Sequence, residues 1–303
     1  MGNRMDCQEP ARRVISASRR TDLAAHFPEW LAAALAAERA EVLGPSGRVY
    51  SVNLSPRSVH TIVLWSKDFS GLISDRCSLR TLLGKYNQAY LLFTITGLGG
   101  TSVERGAPSP EAALEQVPRL VALAGHPRRL SLRFDPVVFW NESGRQRSNL
   151  DFFQRLAARA AAEGVRDIRT SIAQWYAKAK RRAARLGFDY VDPDPSVKLE
   201  TAHCLAETAA SFKLNLWSCS QDLLAQVPGI RPSACIDGAL LAGLHPEREP
   251  ALLTKDRRQR PNCGCTESVD IGSYAQSCPH ACFYCYANPR TGEAPALPPG
   301  TRG

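Results

Sequence analysis

Three cysteines, Cys278, Cys282 and Cys285, stand in the string CPHACFYCYAN with the spacing C-x3-C-x2-C. Thiolates so close together on one loop can each bind one iron of a [4Fe–4S] cube and leave the fourth iron open. An open metal position can coordinate a substrate or cofactor directly, as catalytic zinc does. Zinc and free thiols are the competing readings, but a tetrahedral zinc usually draws four ligands from paired C-x2-C knuckles. His280, inside the loop, is expected to hydrogen-bond a sulfide or tune the potential rather than to ligate, since three thiolates already suffice.

A second group begins with Cys263 and Cys265 in the string CGC. Two thiolates one residue apart need two more ligands to close a tetrahedral or cubane site. Cys219, ending KLNLWSC, and Cys235, in ACIDG, are the candidates. Four ligands with none spare make a closed site, either an auxiliary [4Fe–4S] cluster or a structural zinc. The alternative leaves Cys219 and Cys235 as small buried apolar residues. Cys7, Cys77 and Cys204 stand apart from both groups and are expected to be inert.

The chain has 303 residues, with 38 Lys+Arg against 29 Asp+Glu, a net charge of +9. Hydrophobic residues make up 44% and charged ones 22%, a composition that excludes a disordered or fibrous chain. No run approaches the ~18 to 20 apolar residues of a membrane span. The start, MGNRMDCQEPARR, lacks the apolar core of a signal peptide, so no membrane partner and a cytoplasmic location are expected. A reducing compartment argues against disulfides and for metal or redox roles of the clustered cysteines. The mild basic excess is a weak pointer to nucleic acid. In KDRRQR, Lys255, Arg257, Arg258 and Arg260 suit phosphate binding, neutralisation of a thiolate cluster, or a solvated face. The stretch Lys178, Lys180, Arg181, Arg182 and Arg185 reads as helix surface. His26, His60, His126, His203 and His245 lack ligand-type spacing and read as structural.

The elements that must position these residues alternate. Strands are expected at VISAS (14–18), RVYSVNL (48–54), TIVLWS (61–66), AYLLFTIT (89–96), RRLSLRFDP (128–136), RDIRTSIA (166–173) and KLNLWSC (213–219). Helix patterns run from Pro28 to Leu43, from Ser109 and Pro110 to Gly125, from Asn149 to Gly164, from Gln174 to Leu186 and from Ser196 to Phe212. Such alternation implies an α/β fold with parallel strands, either doubly wound or a barrel. Strand ends carry Ser18-Arg19-Arg20, Ser66-Lys67, Arg133 with Asp135, and Ser218-Cys219. Carboxyl ends of parallel strands are where both architectures build active sites. Lys67, Arg133 and Asp135 read as ligand-holding groups or as solvated caps.

The C-x3-C-x2-C loop with an aromatic, Tyr284, before its last cysteine resembles the cluster loop of the radical S-adenosylmethionine (SAM) superfamily. The fuller string C-P-H-A-C-F-Y-C-Y-A is similar to the spore photoproduct lyase-like branch. SASRRTDLAAHFPEWL, TIVLWSKDFSGL, FTITGLGGTSVERGAPSP and SLRFDPVV resemble that branch's second to fifth strand regions, in order. The cluster loop normally follows the first strand, so its place near the C-terminal end implies a circular permutation. Nearby chain termini make such a rearrangement tolerable. The chain as a whole also resembles an uncharacterised bacterial and archaeal family of domain-of-unknown-function proteins. Its members begin with S-A-S-R-R-T-D and end with K-D-x-x-Q-R-x-x-C-G-C and C-x3-C-x-Y-C-Y-A-N.

The resemblance implies a partial (β/α) barrel of about six parallel strands over residues 1–288, with a cysteine-rich region from about 213 and a Pro/Gly-rich tail over 289–303. It implies a [4Fe–4S] cluster that binds SAM, cleaves its sulfonium reductively and starts radical chemistry on an unidentified substrate, with nucleic acid a candidate. Tyr284, Lys67, Arg133 and Asp135 are the expected cofactor-binding residues. No G-G-E motif follows VISAS, so Ser16, Ser18, Arg19, Arg20, Thr21 and Asp22 would take its place. An electron donor such as flavodoxin or ferredoxin is the implied partner. Two other classes compete: a non-catalytic, metal-stabilised nucleic-acid-binding protein, and an iron–sulfur electron-transfer protein.

Overall fold

The computed structural model describes residues 11–44 and 46–291; Cys7 and the expected tail beyond residue 291 lie outside the described residues. Eight strands form one sheet: β1 (Arg13–Ala17), β2 (Val59–Ser66), β3 (Ala89–Thr94), β4 (Leu130–Val137), β5 (Asp167–Ile172), β6 (Asn215–Ser218), β7 (Ile230–Pro232) and β8 (Val269–Ile271). Their spatial order is β7-β6-β5-β4-β3-β2-β1-β8, and every pairing is parallel. From β1 to β7 the sheet follows the chain, and the last strand returns to lie beside the first. That is the order of a (β/α) barrel whose first strand has moved to the chain's end, opened between β7 and β8.

The sheet has eight strands where about six were expected. The additions, β7 (IRP) and β8 (VDI), are three residues each and too short to carry a period, and Pro and Asp are poor strand formers. RVYSVNL does form a strand, Val49–Asn53, but outside the main sheet, paired antiparallel with Arg39–Leu43. The helix expected to reach Leu43 therefore ends at Ala36. Ala40 and Val42 are buried between exposed neighbours, the period of two that marks a strand. Three short strands, Phe139–Glu142, Arg145–Ser148 and Tyr190–Val191, make a further small sheet.

Helix boundaries follow local chemistry. Ser109 accepts a hydrogen bond from Ala112 N–H and caps Pro110–Ala124, which stops at Gly125 in the left-handed region. Asn149 is not a cap: helix Phe152–Ala162 starts three residues later. The Asn149 amide instead donates to the carbonyls of Thr96 and Pro136 and accepts from Val138 N–H, stitching β3 to β4. Helix Ala177–Arg185 starts later than Gln174, and Asp194 rather than Ser196 caps Pro195–Ser211.

The two faces of the sheet have different tasks. Ile15, Ile62, Leu91, Leu132, Ile168 and Leu216, from successive strands, pack in the main core with the helices. Val14, Val63, Tyr90 and Leu92, one residue out of phase, pack instead with Cys235, Cys263, Cys265 and Ile236. The second cysteine group is thus seated against the sheet's inner face. Among the described residues no helix is long and apolar enough to cross a membrane.

Candidate metal centres around one cavity

A cavity of about 280 Å³ opens where the main-sheet strands end. All seven clustered cysteines line it: Cys278, Cys282 and Cys285 from the loop after β8, and Cys219, Cys235, Cys263 and Cys265 from the second group. Ser18, Arg19, Arg20, Asp22, Lys67, Arg133, Asp135 and Tyr284 line it as well. Ser16 does not; it lies inside β1, fully buried, and its hydroxyl has no partner. Cys77 and Cys204 are exposed, away from both groups.

The loop 278–288 is closed at its base, where Cys278 N–H donates to Asn288 O (3.0 Å) and Arg290 N–H to Cys278 O (2.8 Å). Segment 103–106 grips it from one side: Phe283 N–H donates to Val103 O and Gly106 N–H to His280 O, both at 3.1 Å. A side chain at Gly106 is excluded, since its Cβ would sit 2.1 Å from Pro279 O. From the other side Arg182 donates to the carbonyls of Phe283 (2.6 Å), Cys285 (3.0 Å) and Ala287 (3.5 Å). The ring of Phe188 stacks on Phe283 at 4.6 Å. Arg182, expected on the surface, is therefore a buried clamp.

Asp22 joins the ends of β1 and β2 to the loop. Its carboxylate accepts from Ser66 Oγ (2.9 Å), Lys67 N–H (2.9 Å), Ala25 N–H (3.1 Å) and His280 Nε2 (2.8 Å). Burial would raise its pKa, but the His280 bond and charge and the Lys67 amide hold it below the usual range. His280 Nδ1 faces Gly106 O at 3.1 Å, so both ring nitrogens point at acceptors and neither is free for a metal.

A buried acid that the sequence reading missed, Glu104, organises the other flank. One of its oxygens accepts from Lys67 Nζ (2.9 Å), Thr96 Oγ1 (2.7 Å) and the Tyr284 hydroxyl. Burial opposes the Lys67 charge, yet Glu104 and Cys282 outweigh it and keep the ammonium's pKa raised. Lys67 is thus a fixed cation beside the loop sulfurs rather than a solvated cap. Burial, then the charge of Asp22, pushes the Cys278 thiol up to about 12; burial raises Cys282 and Cys285 too. A metal binding here must displace these protons.

At the second group Cys219 and Cys235 Sγ are 3.8 Å apart, and Cys235 and Cys263 each hydrogen-bond Cys265. Those bonds from Cys219 and Cys265, then the charges of Arg133 and Arg169, hold the Cys235 thiol well below its usual value. The Cys265 bond brings Cys263 to about 6. Arg19 faces Cys265, and Arg260 faces Cys219. Arg169 is buried and donates to Ala234 O, Tyr90 OH and Ser131 Oγ. Four guanidinium groups around four thiols fit a centre carrying negative charge. Arg133 also pairs with Asp135, which accepts from Ser171.

Ring nitrogens of His26 and His280 and the sulfur of Cys278 lie within 4.8 Å of one another. His26, read as structural, is therefore at the loop, brought there by β1 lying beside β8. His245, Glu247 and Glu249 also group, near the start of β2 and so at the opposite end of the sheet from the cavity. There His245 Nδ1 accepts from Glu247 N–H, which leaves the proton on Nε2, the wrong tautomer for a ligand.

No curated protein matches the chain. The family model described as "Domain of unknown function (DUF1848)" matches residues 14–287, a span that holds both cysteine groups and every strand of the main sheet except the first residue of β1. The chain belongs to the DUF1848 family.

Proposed function

We propose that this protein is a radical SAM enzyme in which Cys278, Cys282 and Cys285 hold a [4Fe–4S] cluster whose open iron binds SAM. The observation that carries the reading is convergence. The three loop cysteines share one cavity with the segment after β1, the Lys67 end of β2 and Arg133 of β4, which come from distant parts of the chain. The donor set fits: three thiols, Cys282 buried and Cys278 and Cys285 half-buried, on a loop held from both sides, with a cation at Lys67 and a His280 whose ring nitrogens are both engaged. When bound, the cluster and SAM would supply one-electron cleavage of the sulfonium and so start radical chemistry.

The chain's own residues exclude water and fix orientation. Lys67 offsets thiolate charge, Glu104 immobilises Lys67 and Tyr284 together, and Asp22 locks His280. Arg19 and Arg133, whose side chains lie within 5.4 Å and 5.1 Å of the Trp65 ring centroid, present cations to the cavity. The four-cysteine group would hold an auxiliary [4Fe–4S] cluster or a zinc. Its 3.8 Å sulfur pair equals the edge of a tetrahedral site with Zn–S bonds of about 2.3 Å, so zinc and iron must both be assayed. Flavodoxin or ferredoxin would supply the electron. Nucleic acid is a candidate substrate.

Replacing Cys278, Cys282 or Cys285 by Ala should abolish dithionite-driven formation of 5′-deoxyadenosine from SAM. Retained cleavage in any of the three variants would sink the proposal. Salt-sensitive DNA or RNA binding without SAM affinity would favour the binding-protein class, and reversible reduction without SAM turnover the electron-transfer class.

A further inference from the structure

We propose that His26 donates an N–H to the sulfur of Cys278 and thereby sets the reduction potential of the loop cluster, an inference that rests on the radical SAM reading. The loop's own histidine is committed elsewhere, with Nδ1 on Gly106 O and Nε2 on Asp22. Of the two histidines at the loop, His26 is the one with an unpartnered ring nitrogen. Its Nε2 is buried with no hydrogen-bond partner, and one of its ring nitrogens lies within 4.8 Å of Cys278 Sγ. Buried ring nitrogens without partners are rare and costly, so such a group in a folded protein calls for an acceptor that arrives with a ligand. A metal-bound thiolate is that acceptor.

The position of His26 is fixed independently of any metal. It ends the short helix Leu23–His26, whose first turn is capped by Asp22, the carboxylate that also holds His280. The imidazole packs edge-on against His280 with centroids 4.2 Å apart. Asp22 therefore orients both rings, one through a hydrogen bond and one through the helix. Hydrogen bonds to cluster sulfurs stabilise the more negative, reduced state and raise the potential. His26 is thus a positioning residue that acts through Cys278, and it does not replace a ligand.

The test is a potentiometric titration, followed by electron paramagnetic resonance, of wild-type protein and of His26→Leu and His26→Gln, all purified without oxygen. His26→Leu should keep its iron but move the loop cluster's midpoint to more negative potential. His26→Gln, which keeps an N–H donor, should recover part of the difference. In a reduced sample labelled with ¹⁵N-histidine, a weak nitrogen coupling should be present in wild type and reduced in His26→Gln. That readout stands even if His26→Leu does not fold. Equal potentials in wild type and His26→Leu, or an unchanged coupling in His26→Gln, would overturn the inference and leave the radical SAM reading intact. Wild-type protein without a [4Fe–4S] signal would overturn both.

Discussion

Replacing Arg182 by Met removes the guanidinium and keeps most of the apolar stem. Its Nη1 donates at 2.6 Å to Phe283 O and at 3.0 Å to Cys285 O, with a longer bond from Nη2 to Ala287 O. A hydrogen bond to a charged group contributes about 1.5–3 kcal/mol, and breaking it leaves the buried carbonyl unpaired. Two such bonds bring the sum to roughly 3–6 kcal/mol, and one shared nitrogen and the burial of the cation favour the lower end. About 3 kcal/mol corresponds to a little over a hundredfold in the opening equilibrium of the loop. Hydrogen exchange reads this directly at the amides of Phe283 and Cys278, whose acceptors Val103 O and Asn288 O close the loop. Both amides should exchange about a hundred times faster in Arg182→Met. Arg182→Lys should not rescue, because one ammonium cannot span three carbonyls. Unchanged protection in Arg182→Met would refute the clamp.

Gly106→Ala drives a Cβ to 2.1 Å from backbone oxygen, so it should lower thermal stability and metal loading together, at a cost of about 1–3 kcal/mol, read by calorimetry and metal analysis. Glu104→Gln leaves Lys67 without its carboxylate and should lower iron retention on dilution, whereas retention equal to wild type would mean the network does not support the loop. Asp194, held below its usual pKa by Ser196 and Val197, lends stability that is present above about pH 3.8 and lost as pH falls through its lower folded value. The melting-temperature gap between wild type and Asp194→Ala should therefore be constant near neutrality and shrink below about pH 4.

The residues of the candidate site were more legible than the contacts that support them. Cysteine spacing marked out both groups, and all seven cysteines meet at one cavity, as do nine of the ten residues expected to bind the cofactor, Ser16 being the exception. All seven expected strands exist, because short apolar and β-branched runs such as VHTIVLWS, buried almost throughout, mark a strand locally. The Arg39–Leu43 strand was hidden by good helix formers around Ala40, and β7 and β8 by their brevity. His26, Glu104 and Arg182 owe their roles to neighbours across the sheet order, 252, 180 and 101 or more residues away in the chain. No local pattern marks such contacts. Arg182 was masked further by sitting in a run of cations, where one buried guanidinium looks like its solvated neighbours. Asn149 resembled a cap because Asn favours helix starts, but its amide found three backbone partners elsewhere.

The central claim is tested most directly by iron, sulfide and zinc analysis of protein purified without oxygen, followed by reduction with SAM and assay of 5′-deoxyadenosine. The account predicts about four irons at the loop, or about eight if the second group also holds a cube, with SAM cleavage. Zinc as the sole metal, with no cleavage, would contradict it.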